Sequence, residues 1–151
     1  HTAGAAPGGT LARADFRAKS DYINRPLSPA GRTTLVSATE RRASQPGSGA
    51  LLMDAYGGAI NRVHPQETAF VHRDSLFCLQ YLSYGGGAAW LDQTYAAMRP
   101  YASGSAYQNY IDAGLAGWQN AYYGRNYARL KQIRKAIDPE HRFNFPQAIG
   151  R

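Results

Sequence analysis

The chain has one cysteine, Cys78, which excludes a disulfide within it and leaves the compartment unread. Its four histidines, His1, His64, His72 and His141, are scattered without ligand spacing, so no metal site is expected. No apolar run approaches the roughly 20 residues that a spanning helix needs, so no membrane partner is expected. The sequence contains no GxGxxG, no P-loop, no GxSxG and no HExxH, which removes the common nucleotide, hydrolase and zinc-peptidase signatures. Acidic residues are few, ten against 17 Lys and Arg, for a net charge of +7. Most of the basic residues are dispersed, and the dense stretch from Arg125 to Arg142 comes with no recognition motif. That stretch reads as a solvated helix face or a face for an acidic surface, and no nucleic-acid partner is expected. There is no initiator Met, no signal segment, and the opening HTAGAAPGGT has linker composition, so 1–12 reads as a loop.

What is present suits one core. The chain has 151 residues, 44% hydrophobic and 12% aromatic, with 11 Tyr. Tyr buries a large ring while keeping a polar tip, which suits a half-polar pocket as well as ordinary packing. Alternation over 15–24 predicts a strand with Phe16, Ala18, Ser20 and Tyr22 on one face and Arg17, Lys19 and Asp21 on the other. Ser28-Pro29 opens a helix running to about Ala43. ALLMDAY, 50–56, reads as a buried strand before the Gly57-Gly58 turn, with 60–63 as a short strand continuation. LFCLQYLSY, 76–84, is the strongest strand, and a helix follows over 88–99 with Leu91, Tyr95 and Met98 on one stripe. Segment 105–112 reads as short and extended or irregular, and a last helix is expected over 122–137. The order predicts an α+β fold, an antiparallel sheet covered by helices.

Polar groups sit where burial is expected, and each needs a reason. Asp54, in an apolar strand, is either an acid/base group or a cap on the Gly-Gly turn. Gln80 offers an amide to a ligand, or pairs with a neighbouring strand. Tyr107, Asn109 and Tyr110 put two phenols and an amide together, either for chemistry or for packing on the last helix. His72-Arg73 reads as structural, at the start of a strand, and Lys19 as solvated.

SAYQNYID, WQNAYYGRNYARLKQIRKAIDP and FNFPQAI, in that order, resemble the C-terminal signature of berberine-bridge-enzyme-like oxidases. Upstream, FRAKSDYINRPLS and AYGGAINRVHPQETAFVHRDSLFCLQY resemble that family's substrate domain, so the likeness covers nearly the whole chain after the opening loop. It implies division into 13–104, part of a substrate domain, and 105–151, a C-terminal helical segment that packs on an FAD-binding domain not included in this chain. That N-terminal FAD-binding portion of the same enzyme would be the partner and would make most of the contacts to FAD. Cys78 is not the flavin-linking cysteine found in many members.

The resemblance further implies a role for each matching residue. Tyr110 is the catalytic base and Asp54 its acidic partner. Asn109 and Tyr107 contact the cofactor, while Gln80, Cys78 and Lys19 line the substrate pocket. The implied activity is oxidation of a hydroxyl on a sugar or sugar-bearing metabolite, with FAD as hydride acceptor and O2 as final acceptor. A tailoring oxidase of a non-sugar natural product and a non-catalytic binding module lacking its own flavin are the competing readings, and the chain alone is expected to be inactive. A bacterial source is expected, secreted or cytoplasmic. The stretch from Tyr84 to Ser105 is shorter than is usual in the family, which implies a trimmed cover over the sheet and an altered specificity.

Overall fold

The computed structural model describes residues 14–151, and the expected opening loop lies outside the described residues. Strand β1, Phe16–Ile23, is followed by helix α1, Pro29–Ala43. The Ser28 side chain caps α1 by accepting from the Gly31 N–H at 3.2 Å, and Pro29 follows where its missing N–H costs nothing. Strand β2, Ser48–Ala55, leads through Gly57, at φ 125°, into a short helix α2, Gly58–Arg62. This segment is therefore helical, where a strand continuation was expected from Ile60. With five residues it is too short for periodicity to separate the two states. Strand β3, Phe77–Tyr84, and helix α3, Ala88–Met98, come next.

The sheet has the order β1-β3-β2, antiparallel throughout. Opposed residues share a face. Lys19, Tyr81 and Leu51 lie on one side, as do Asp21, Leu79 and Met53. Helices α1 and α3 cover that side. Leu79, Tyr81, Trp90, Leu91 and Met98 form its core, with Leu27, Leu35 and Leu51 against them. Each fully buried aliphatic side chain contributes about 1.5–3 kcal/mol through loss of apolar area to water. Some of the polar atoms here are paired, whereas Thr94 Oγ1 and Ser83 Oγ have no hydrogen-bond partner among the described residues. The Trp90 Nε1–H donates to the Ala38 carbonyl at 2.8 Å, and buried Asp21 accepts from Tyr81 Oη at 2.9 Å and pairs with Arg99.

The expected last helix is two. Helix α4, Trp118–Tyr123, stops at Gly124, whose φ of 48° disfavours any side chain, and α5, Tyr127–Ile137, follows a single tight turn. The break moves the basic helix α5 away from the sheet. No residue of α5 is fully buried. Ile133, Ile137, Phe143 and Phe145 remain exposed beside a groove of about 300 Å³ between α5 and the tail.

Candidate active site

The second face of the sheet carries Ala18, Ser20 and Tyr22 of β1, Cys78, Gln80 and Leu82 of β3, and Leu52 and Asp54 of β2. No helix covers it. Segment 103–112 runs along the free edge of β1 instead. The Ser103 N–H donates to the Tyr22 carbonyl at 2.9 Å, and the Tyr22 N–H to the Ser105 carbonyl at 3.2 Å. The Ser20 hydroxyl, on this second face, then accepts from the Tyr107 N–H at 2.9 Å and turns the segment over the sheet.

That turn brings Tyr110 onto Asp54, 56 residues away in sequence, and Tyr110 Oη donates to Asp54 Oδ2 at 3.0 Å. Burial pushes the Tyr110 phenol up to about 12, and the hydrogen bond to Asp54 and its charge add to the rise. A neighbouring carboxylate therefore holds the phenol proton at rest, and no standing tyrosinate forms at neutral pH. What Asp54 provides is an acceptor already aligned with the Tyr110 proton, so the phenol oxygen can take a new proton as it gives up its own.

Beneath the pair lies an aromatic floor. Tyr22 stacks on His72, with centroids 4.1 Å apart, and meets Tyr56, Phe70 and Tyr107 edge-on. Tyr107 and Tyr110 are themselves edge-to-face at 5.1 Å. Burial pushes His72 down to about 4, so its ring is neutral, and Nε2–H donates to the Tyr122 carbonyl at 3.0 Å. His72 thus joins the floor to α4, in keeping with a structural role.

The other expected site residues divide. Gln80 lies on this second face, opposite Ser20 and Leu52, where it is buried, and its side-chain amide makes no hydrogen bond to another of the described residues. Asn109 is exposed and donates to Tyr107 Oη at 2.8 Å. Cys78 sits directly opposite Asp54 in the sheet but is fully buried, with its thiol pushed up to about 12 by burial. It is a neutral packing group under the site, without an accessible surface for a ligand. Lys19 is the clear correction. The alternation of β1 puts it on the helix-covered face, where Nζ binds Asp112 Oδ2 at 2.8 Å and lies 5.0 Å from the Tyr95 ring centroid. Ser20, Tyr22, Tyr56, Phe70 and Asp112 complete the surroundings. Strand alternation already placed Ser20 and Tyr22 on this face, whereas Tyr56, Phe70 and Asp112 fell within the stretches that carry the family resemblance.

These residues fit one side of a planar heteroaromatic ring. Phenols and amides share one face, the Asn109 amide is exposed, and the buried Gln108 Oε1 has no hydrogen-bond partner among the described residues. The sequence contains neither a GxGxxG nor a P-loop motif of the kind that cradles a diphosphate.

The family model described as "Berberine and berberine like" matches residues 106–150. An uncharacterized FAD-linked oxidoreductase of Bacillus subtilis strain 168, YgaK, is 31% identical over 95% of this chain and 32% of its own length. The monolignol oxidoreductase AtBBE-like 13 of Arabidopsis thaliana is 31% identical over 94% of this chain and 30% of its own. Among solved structures, Physcomitrella patens BBE-like 1 superposes with a TM-score of 0.79 and 38% identity, covering 90% of this chain and 30% of that one. The chain thus spans about a third of the length of the curated relatives it matches.

Proposed function

Because this chain belongs to the berberine-bridge-enzyme-like family of FAD-linked oxidoreductases, we propose that it forms the C-terminal portion of an oxidase acting on a hydroxyl of a sugar or sugar-bearing metabolite. One observation carries this reading: the 3.0 Å bond from Tyr110 Oη to Asp54 Oδ2 on the sheet face turned away from α1 and α3. Such a pair suits removal of a hydroxyl proton during loss of hydride from the carbon that bears it. Tyr110 Oη accepts the substrate proton and passes its own to Asp54 Oδ2, so the phenol is neutral before and after. FAD, when bound, supplies the two-electron acceptor and returns those electrons to O2. Asn109 and Tyr107 would border its ring, and Gln80 would bind a substrate hydroxyl through its amide. Contacts to the rest of FAD would come from the N-terminal portion of the same protein, so the isolated chain binds flavin weakly and is inactive.

The test is anaerobic bleaching of the flavin in the full-length protein with a panel of aldoses, oligosaccharides and non-sugar alcohols. Bleaching by sugars, slowed in Tyr110→Phe, supports the reading. Bleaching by non-sugar alcohols alone selects the second reading, a natural-product or phenolic-alcohol oxidase. That reading is favoured by the 31% identity to a relative named a monolignol oxidoreductase. No bleaching by either class, in a protein that carries flavin, favours a non-catalytic role.

A further inference from the structure

Asp112 follows the candidate base by two residues, and each of its hydrogen-bonding groups is engaged. Its N–H donates to Tyr122 Oη at 2.9 Å, and its carbonyl accepts from Gln147 Nε2 at 2.7 Å. Carboxylate Oδ1 accepts from the Gly114 N–H at 2.9 Å, and Oδ2 from Lys19 Nζ at 2.8 Å. The partners come from four places: α4, the C-terminal tail, the residue's own turn, and β1. The Lys19 and Asp112 side chains are only 15% and 14% exposed, so water screens this pair far less than a surface pair.

Position is what this arrangement secures. Upstream of Tyr110 the segment is tied at Tyr107, by the Ser20 hydroxyl. Downstream it is tied at Asp112, by Lys19. Ser20 and Lys19 are neighbours on β1 with side chains on opposite faces, so the segment is clasped across the edge of the strand. Between the ties, Asn109 and Ile111 are exposed, and Tyr110 is held by its Asp54 bond, the Tyr107 ring and one turn hydrogen bond to the Tyr107 carbonyl. The site of the phenol oxygen therefore depends on both anchors.

We propose that Asp112, held by Lys19, is a positioning residue that sets the segment so that Tyr110 Oη meets Asp54 and the substrate hydroxyl together. This rests on the reading of Tyr110 as the base. Lys19 is then the charge partner of Asp112 and makes no contact with substrate. The Gln147 bond makes the tail a third tie, so the end of the chain contributes to the geometry at Tyr110.

The experiment uses the full-length flavoprotein with Lys19→Met, which removes the ion pair and leaves the other hydrogen bonds of Asp112. Two quantities are read: the anaerobic rate of flavin reduction, and the 19F resonance of 3-fluorotyrosine placed at position 110. A misplacement of this kind slows reduction about ten- to a hundredfold, with KM held within about twofold and flavin content kept. The 19F line shifts or broadens, and Lys19→Arg restores both. An unchanged rate and line, with or without a lower Tm, overturns the proposal and leaves the pair merely structural. A raised KM with kcat intact also overturns it, because Lys19 then meets the substrate. Gln147→Leu cuts a different tie to Asp112 and carries the same test should Lys19→Met not fold. Tyr110→Phe separates the two levels. If it reduces flavin as fast as the parent, the base reading fails, while the 19F line still reports whether Lys19 and Asp112 position residue 110.

Discussion

Replacing Asp54 by Asn keeps the shape of the side chain and removes its charge, so it isolates what the carboxylate does for Tyr110. The phenol stands at about 12, with burial the larger cause and Asp54 the next. A hydrogen bond to a charged group is worth about 1.5–3 kcal/mol. Asp54 is exposed, so water screens its charge and the lower bound applies, roughly one pKa unit at 1.36 kcal/mol per unit. Tyr110 in Asp54→Asn should therefore titrate lower, on the order of one unit below the parent. The variant also loses the proton acceptor, and general-base loss costs about 10²–10⁴-fold. The expected result in the full-length flavoprotein is a rate of flavin reduction down by about a hundredfold at neutral pH. That rate then climbs with pH as Tyr110 ionises unaided, so the deficit narrows in alkali. Anaerobic stopped-flow measurement across the pH range provides the profile. A variant as fast as the parent at every pH would refute the relay. A deficit that stays constant with pH would refute it too, because Asp54 would then serve binding or folding alone.

Three further expectations concern stability and surface. Asp21 is fully buried, and burial raises its carboxyl to about 6 against the pull of Arg99. The folded state then holds a proton that the unfolded state has released, so the contribution of Asp21 is full below about pH 4 and declines up to about pH 6. Denaturation midpoints should fall across that window, and Asp21→Asn should flatten the trend. Ser28→Ala removes the cap of α1 and should cost about 1 kcal/mol in urea unfolding, with m unchanged. The isolated chain should self-associate through Ile137, Phe143 and the groove beside them, and Ile137→Asp should raise the monomer fraction on size exclusion.

Much of this fold is legible in the chain because its signals are local. Alternation in FRAKSDYI marks β1, the apolar run FCLQYLSY marks β3, and Ser28-Pro29 marks the start of α1. The misses share a physical reason. Five residues after Gly57-Gly58 hold too little periodicity to tell helix from strand. Gly124 lies between aromatic residues that continue the helical stripe, so the break depends on backbone geometry that the stripe does not encode. The Tyr110–Asp54 contact joins residues 56 apart, and no pattern in either segment points to the other, so only the family likeness brought them together. Lys19 shows the opposite case. Strand alternation had set it across the sheet from Ser20 and Tyr22, and the structure agrees with that alternation. The tight web around Asp112 had no sequence signal, since its partners come from β1, α4 and the tail.

The most direct test is single-turnover flavin reduction in the full-length protein carrying Tyr110→Phe, with a sugar that reduces the parent. If Tyr110 is the base, reduction slows by about 10²–10⁴-fold while the flavin spectrum and sugar affinity stay as in the parent. Reduction at the parent rate in that variant would contradict the assignment, and Tyr110 would be a packing residue on the sheet face.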